Sequence, residues 1–339
     1  MTDSLRVTPF NTCLVKSSPA TRCARQGVPW RCPLSSRPRL LLVAPSEMTH
    51  SPAFDRALAL AKAMNATLTL VAFVYLDGLQ QLDLLDADRQ AEIREAYLQR
   101  YRQWLEQEAE AMRGEGVEVT TEVKWDQPSL SALSGYVRSQ HPDLLIKDAH
   151  QESALKRIFF TPLDWRLLCD SRAPIHLVTA QGMPIPRKVL ACVDVLRDDV
   201  ATRELNDRII DQAARFATHC KCPLHLLGVY DWTALYLADI GIGKVPVSVS
   251  PSYDERKAKF LHLADKHALH KDNRHFIVGT PGKAIVEFVG QDVFDVLVIG
   301  TVTHRSLNKL LGSTTESLLY QPPCSLLVIK PVELPDFAQ

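Results

Sequence analysis

Three apolar runs in the second half of the chain repeat runs in the first half at nearly one spacing. Arg39-Leu-Leu-Leu-Val43 and Lys188-Val-Leu-Ala-Cys-Val193 begin 149 residues apart. Asp143-Leu-Leu-Ile-Lys147 and Asp295-Val-Leu-Val-Ile299 begin 152 apart, and Pro174-Ile-His-Leu-Val178 and Cys324-Ser-Leu-Leu-Val328 begin 150 apart. Three independent runs with almost one offset point to an internal duplication. Length alone, 339 residues, suggests about two domains; the repeat makes them two copies of one unit. Copy 1 is expected over residues 38–180 and copy 2 over 188–332. The linker 181–187 carries Gly182, Pro184 and Pro186, and residues 333–339 form a short tail.

Within each copy, short apolar runs alternate with longer amphipathic stretches. In copy 1 the runs 39–43, 67–74, 117–125, 143–147 and 174–178 read as strands. The stretches 51–64, 86–112 and 128–139 read as helices with one apolar face, and a further helix is expected near 162–169. Each copy therefore reads β-α-β-α-β-α-β-α-β. Strands alternating with helices demand a parallel sheet covered on both faces. The expected fold class is α/β, two tandem doubly wound parallel-sheet domains arranged as an internal pseudo-dimer, with a further homodimer left open. Such sheets bind ligands beyond the carboxyl ends of their strands, where the strand order reverses. That directs attention to 44–47 and 147–162 in copy 1, and to Asp194, 229–232 and 300–315 in copy 2.

Charge excludes some classes of partner. Lys+Arg and Asp+Glu both number 39, so the chain is not built as a whole for nucleic acid or anionic lipid. The balance is nevertheless a cancellation. Residues 1–36 hold five basic side chains (Arg6, Lys16, Arg22, Arg25, Arg31) against Asp3 alone, and the remainder is mildly acidic. This first segment has no periodicity and no continuous apolar core of a secretory signal. It reads as a basic, disordered extension over 1–37, or as the product of a start codon placed upstream, rather than as a transit presequence. No stretch approaches 18 consecutive apolar residues, so no membrane span is expected. The eight cysteines include no C-x2-C pair, and Cys220-x-Cys222 is tighter than zinc or redox spacing. A reducing cytoplasm is the expected compartment.

The chemistry-bearing segment follows the fourth strand of copy 2. Gly300 leaves the strand, and Gly312-Ser313-Thr314-Thr315 opens a helix, presenting unpaired N–H groups at the positive end of its dipole. Two readings stay open on these residues: a phosphate cradle, or an ordinary turn with Ser313 or Thr314 as N-cap.

Copy 2 has an acid after strand one, in Cys192-Val-Asp194, and the Gly300…Gly312-Ser313 pair after strand four. Copy 1 has His150-Gln and Phe160-Thr-Pro-Leu-Asp-Trp165, and copy 2 has Gly300-Thr-Val. Together these resemble tandem members of the universal stress protein family, whose fold is adenine nucleotide alpha hydrolase-like. The resemblance covers about residues 38–332. It implies a stress-response binding protein with ATP or another adenine nucleotide as ligand, no required cofactor and no catalysis. It also implies that Asp194 and Val229 contact base and ribose, while Gly300, Gly312, Ser313, Thr314 and Thr315 hold phosphate. Thr303 stands where the family pattern has its second glycine, and eight residues rather than nine separate it from Gly312. In copy 1, Ala44-Pro45-Ser46 replaces the acid and Lys147 is placed at the first glycine. Thr161-Pro162 replaces Gly312-Ser313; Pro162 has no N–H to offer, and Asp164 repels phosphate from the first helical turn. Copy 1 is read as a closed site.

Other candidates are weaker. Gly241-Ile-Gly243-Lys244 fails as a P-loop, with Ala238 at the first glycine and Val245 where Ser or Thr holds magnesium. Trp232, Leu235, Tyr236 and Leu237, in the long segment 232–250, form the alternative site, for an apolar ligand or a protein partner. His262, His267, His270 and His275 are spaced 5, 3 and 5 apart, which does not build a helical metal site. His304 and Arg305 lie near the glycine segment, where they read equally as phosphate contacts or as exposed loop residues. No nucleophile–base grouping or metal-binding motif stands out, so no catalytic residue and no metal are assigned.

Overall fold

The computed structural model describes residues 37–75, 87–125, 130–149, 151–152, 157–158, 167–168, 171–181, 183–231, 253–301, 312–320 and 322–331. All belong to one compact unit, Arg37–Gln339. Copy 1 contributes strands β1 (Arg39–Val43), β2 (Thr67–Val74), β3 (Glu118–Trp125), β4 (Leu144–Asp148) and β7 (Ile175–Val178). Its helices are α1 (Pro52–Met64), α2 (Ala87–Gly114) and α3 (Leu130–Gln140). A two-stranded hairpin, β5 (Gln151–Glu152) with β6 (Arg157–Ile158), had no counterpart among the sequence expectations. Copy 2 contributes β8 (Val189–Val193), β9 (Leu224–Tyr230), β10 (Arg274–Val278), β11 (Val296–Gly300) and β12 (Ser325–Ile329). Its helices are α4 (Val200–Cys220), α5 (Tyr253–Lys266), α6 (Pro281–Gln291) and α7 (Ser313–Tyr320).

All ten long strands lie in one sheet, ordered β10-β9-β8-β11-β12-β7-β4-β1-β2-β3. Counted within its copy, each half runs 3-2-1-4-5, the doubly wound order, and every pairing inside a copy is parallel. The copies join through a single antiparallel pair, β12 with β7, in which Leu326 faces Leu177, Leu327 faces His176 and Val328 faces Ile175. The pseudo-dimer is thus one continuous sheet. Because strand side chains alternate, one face carries Leu40, Leu42, Ile146, Leu327, Val298 and Ala191, and the other carries Leu41, Leu145, Leu177, Leu326, Leu297 and Leu190. Both layers cross the seam without a break.

The repeat of aspartates before the fourth strands has a structural cause. Asp143 Oδ2 accepts the backbone N–H of Arg39 at 2.8 Å, and Asp295 Oδ2 accepts that of Arg187 at 2.7 Å. In both copies a carboxylate clips the start of the first strand to the start of the fourth.

At the seam a histidine sits inside the core. His176 is fully buried, and its Nδ1 donates to the Leu326 carbonyl at 2.9 Å. Its Nε2 accepts from Arg56 Nη1 at 2.9 Å, which fixes the neutral tautomer. Burial, with the Arg56 charge beside it, pushes the imidazole down to about 3. Arg56 is itself buried on α1, and its Nη2 donates to the Met183 carbonyl at 2.8 Å.

Candidate functional site

The strand order reverses between β8 and β11 in copy 2 and between β1 and β4 in copy 1. Beyond the carboxyl ends of β8 and β11 lies a cleft of about 490 Å3. Asp194, Val229, Gly300, Gly312, Thr314 and Thr315 all line it. The structure therefore brings together six of the eight residues expected there from the sequence. The backbone of Ser313 opens α7 at the same edge. Thr303 lies outside the described residues, as do Trp232, Leu235, Tyr236 and Leu237, and also His304, Arg305 and 241–245.

Contacts within the cleft sharpen the role of each residue. Asp194 is held from both directions by Asn206 of α4: Asp194 N–H donates to Asn206 Oδ1 at 3.0 Å, and Asn206 Nδ2 donates to the Asp194 carbonyl at 2.7 Å. Its carboxylate accepts the backbone N–H of Leu196 at 2.9 Å and Arg197 Nε at 2.8 Å. Asp194 thus turns the chain after β8 and presents a half-exposed ion pair to the cleft. Asp199, five residues on, caps α4, accepting the Thr202 N–H at 2.8 Å and the Thr202 hydroxyl at 2.7 Å. Those two bonds hold Asp199 below the usual carboxylate range.

Packing leaves little room for a side chain at Gly300. A Cβ there would come within 2.8 Å of Ile209 Cδ1 and Leu205 Cδ2, so the close approach expected of this glycine is that of α4. Thr315 is 6% exposed, and its hydroxyl donates to the Gly300 carbonyl at 2.8 Å, tying α7 to the end of β11. Its side-chain donor is already in use. Free donors for an anion are the first-turn N–H groups of α7, since Glu316 N–H already reaches the Gly312 carbonyl at 2.9 Å. Two cleft residues, Arg197 and Asn206, went unnoticed in the sequence. Asn206 carried a readable signal, a polar side chain inside the apolar stripe Leu205, Ile209, Ile210 of a helix.

Copy 1 differs at the equivalent point. The register pairs Asp148 with Val178 and Gly300 with Ile329, at the last rung of each copy. Asp148, and not Lys147, is therefore the counterpart of Gly300, a correction of one residue. The Asp148 carboxylate crosses the crevice to α1, accepting from Ser51 Oγ at 2.5 Å and from the Ala53 N–H at 3.2 Å. It caps the helix from another strand and sets a negative charge where copy 2 is open. On the β1 side, the Tyr101 hydroxyl donates to the Ser46 carbonyl. Thr161, Pro162 and Asp164 lie outside the described residues.

The four spaced histidines fall on separate structures. His267 lies between Asp207 at 2.8 Å and Asp211 at 3.3 Å, whereas His275 stacks on His225 with ring nitrogens 3.0 Å apart. His270 caps a short 3-10 turn, and His262 lines a second cleft between α4 and α5. Among the described residues, no three His, Cys, Asp or Glu side chains converge to hold a metal ion, and no helix is long and apolar enough to cross a membrane.

Comparison with known proteins agrees with this layout. The model of the universal stress protein family matches the chain twice, over residues 37–179 and 186–330. Universal stress protein E of Escherichia coli K12 is 26% identical over 298 residues, spanning 86% of this chain and 93% of that protein. A universal stress protein E homolog of Haemophilus influenzae is 23% identical over 303 residues, spanning 84% and 97%. The crystal structure of a universal stress protein from Archaeoglobus fulgidus superimposes with a TM-score of 0.61 at 16% identity, covering 86% of this chain and 98% of that one.

Proposed function

The chain belongs to the universal stress protein family, as a tandem of two such domains, and from that premise we propose that it is a cytoplasmic stress-response binding protein that holds one adenine nucleotide, in copy 2. The observation that carries the reading is the cleft at the copy 2 switch point, lined by Asp194, Val229, Gly300, Gly312, Thr314 and Thr315. Apolar walls from Val229, Leu227 and Ile299 suit a purine face, and Asp194 with Arg197 stands at its polar rim. The first turn of α7 supplies the N–H groups and dipole for phosphate.

Binding without turnover is the activity that fits. Among the described cleft residues the one carboxylate, Asp194, is engaged by Arg197 and two backbone N–H groups. It is neither a poised general base nor a magnesium ligand. Nucleotide binding stabilises the native state by about 2.7 kcal/mol at a hundred times Kd.

Mass spectrometry of ligand released from natively purified protein tests the reading, together with the melting temperature in millimolar ATP. Released adenine nucleotide, and a melting temperature that rises with ATP, are expected, both lost in Gly312→Asp. A protein that carries only an apolar ligand, or whose melting temperature ignores ATP, contradicts it.

A further inference from the structure

In each copy a histidine sets both of its ring nitrogens against carboxylates. In copy 2, His267 follows the last residue of α5, with Nε2 2.8 Å from Asp207 and Nδ1 3.3 Å from Asp211, both on α4. In copy 1, His50 stands just before α1. Its Nδ1 lies 2.8 Å from Glu108 of α2 and its Nε2 3.1 Å from Asp55 of α1. A neutral imidazole has one N–H and one lone pair, so it bonds one carboxylate and repels the other. The imidazolium donates to both, in charge-assisted bonds. Either arrangement is complete only when the ring carries its second proton.

The two sites are not duplicates, since His50 precedes the first helix of its copy and His267 follows the second. They share an anchor nevertheless: Asp55 and Asp211 both stand ten residues before the C-cap of the first helix. The groups facing His50 are Asp55 and Glu108, beside the Phe54 ring. Those facing His267 are Asp207 and Asp211, with Lys266 on Asp207 at 2.6 Å. Burial alone would lower both rings, but the carboxylate bonds overcome it and hold each above 6.5. In copy 2 the same two helices grip the turn that rims the nucleotide cleft. Asn206, next to Asp207 on α4, brackets Asp194, and the buried Arg256 of α5 donates Nη1 to the Val195 carbonyl at 2.9 Å. Between α4 and α5 lies the second cleft, about 460 Å3, with Asp207 and Lys266 in its lining. The His267 contacts thus close a gap between the helices.

We propose that His50 and His267 are proton-operated clasps between the first two helices of their copies, and that opening the His267 clasp weakens ligand binding in the copy 2 cleft. The second half rests on the nucleotide reading above; the first does not. Each clasp contributes fully below pH 6.5 and is lost as the pH rises through its higher folded-state value. Loss of the proton turns a lone pair toward a carboxylate and frees one helix from the other. In copy 2 the turn carrying Asp194 then loses its firm hold between Asn206 and Arg256.

Nitrogen-15 imidazole spectra of the full chain, followed against pH, read the clasps, with His50→Gln and His267→Gln assigning the signals. At pH 6.5, where an ordinary histidine is half protonated, both rings should be mostly imidazolium. Glu108→Gln should weaken proton binding by His50 at least about threefold, and Asp211→Asn should do the same to His267. ATP affinity should fall at least about fivefold between pH 6.5 and pH 9 in wild type, and much less in His267→Gln. A ring half neutral or more at pH 6.5, or a midpoint untouched by loss of its carboxylate, overturns the clasps. An equal fall in ATP affinity in wild type and His267→Gln overturns the coupling. If ATP binds at neither pH, the nucleotide reading fails by itself. Amide exchange at Leu196, corrected for its intrinsic pH dependence, then judges the coupling: it should quicken at pH 9 in wild type and not in His267→Gln, and equal rates overturn it.

Discussion

In the first copy, the carboxylate of Asp148 leaves the end of β4, crosses the crevice and closes on Ser51 and Ala53 of α1. In the second, Gly300 leaves the equivalent end of β11 with no side chain, Leu205 and Ile209 pack against it, and a cleft remains. Strand order, helix placement and the clip from the preceding aspartate are common to both. The fold supplies a crevice at every switch point, but the last residue of the fourth strand decides whether it is filled from within. The seam shows the same divergence. His176 stands opposite Leu327, its own counterpart in the second copy. At the equivalent depth in α4, nine residues before the C-cap, Gln212 replaces Arg56.

The strongest way to break the comparison is to give copy 2 the residue of copy 1. Gly300→Asp should reduce nucleotide affinity by at least about 100-fold, or roughly 2.7 kcal/mol, by isothermal titration. It should also destabilise by about 1–3 kcal/mol through its Cβ contact with α4. Gly300→Ala keeps the packing cost without the charge, and should retain most of the affinity.

Acid probes the seam. The folded-state value of His176 lies at about 3, below its unfolded value near 6.5, so the unfolded chain binds the extra proton. Stability should therefore be unaffected by this group above pH 6.5 and fall as the pH drops from 6.5 toward 3. At pH 5 the loss is about 2 kcal/mol, read from urea unfolding against pH. His176→Leu, copying Leu327, should remove this part of the slope while lowering stability at neutral pH, because Arg56 Nη1 loses its acceptor.

The reverse exchange, Asp148→Gly, should cost about 1–2 kcal/mol by loss of the α1 cap. It should create no nucleotide site, since the chain after β1 still lacks an acid at Ala44-Pro45-Ser46. Thr315→Val separates structure from ligand. It should cost about 1 kcal/mol of stability and leave affinity nearly unchanged, because the hydroxyl serves the Gly300 carbonyl. Ser46→Ala should change nothing in nucleotide titrations, whereas Asp194→Ala should weaken binding.

The sequence carried the architecture and part of the site. The strand at 39–43 was legible because Leu40–Val43 is an unbroken apolar run buried on both faces, and the one at 67–74 because apolar residues dominate it after the threonines at 67 and 69. The exit from β4 was misplaced by one residue. Lys147 and Asp148 both follow an apolar run, and only the pairing with β7 sets which of them stands at the last rung. The antiparallel seam was not legible, since a strand at an open edge and one buried between two copies are equally apolar. Gly300 and Thr315 were identified as site residues, but their partners Leu205, Ile209 and each other are distant in sequence, so packing could not be told from phosphate binding.

The central claim is that the two copies are unequal, with one crevice open and one closed. Titration calorimetry of the full chain with ATP counts the sites directly. The account predicts one nucleotide per chain, lost in Gly300→Asp and kept in Ser46→Ala; two equivalent sites, or none, would contradict it.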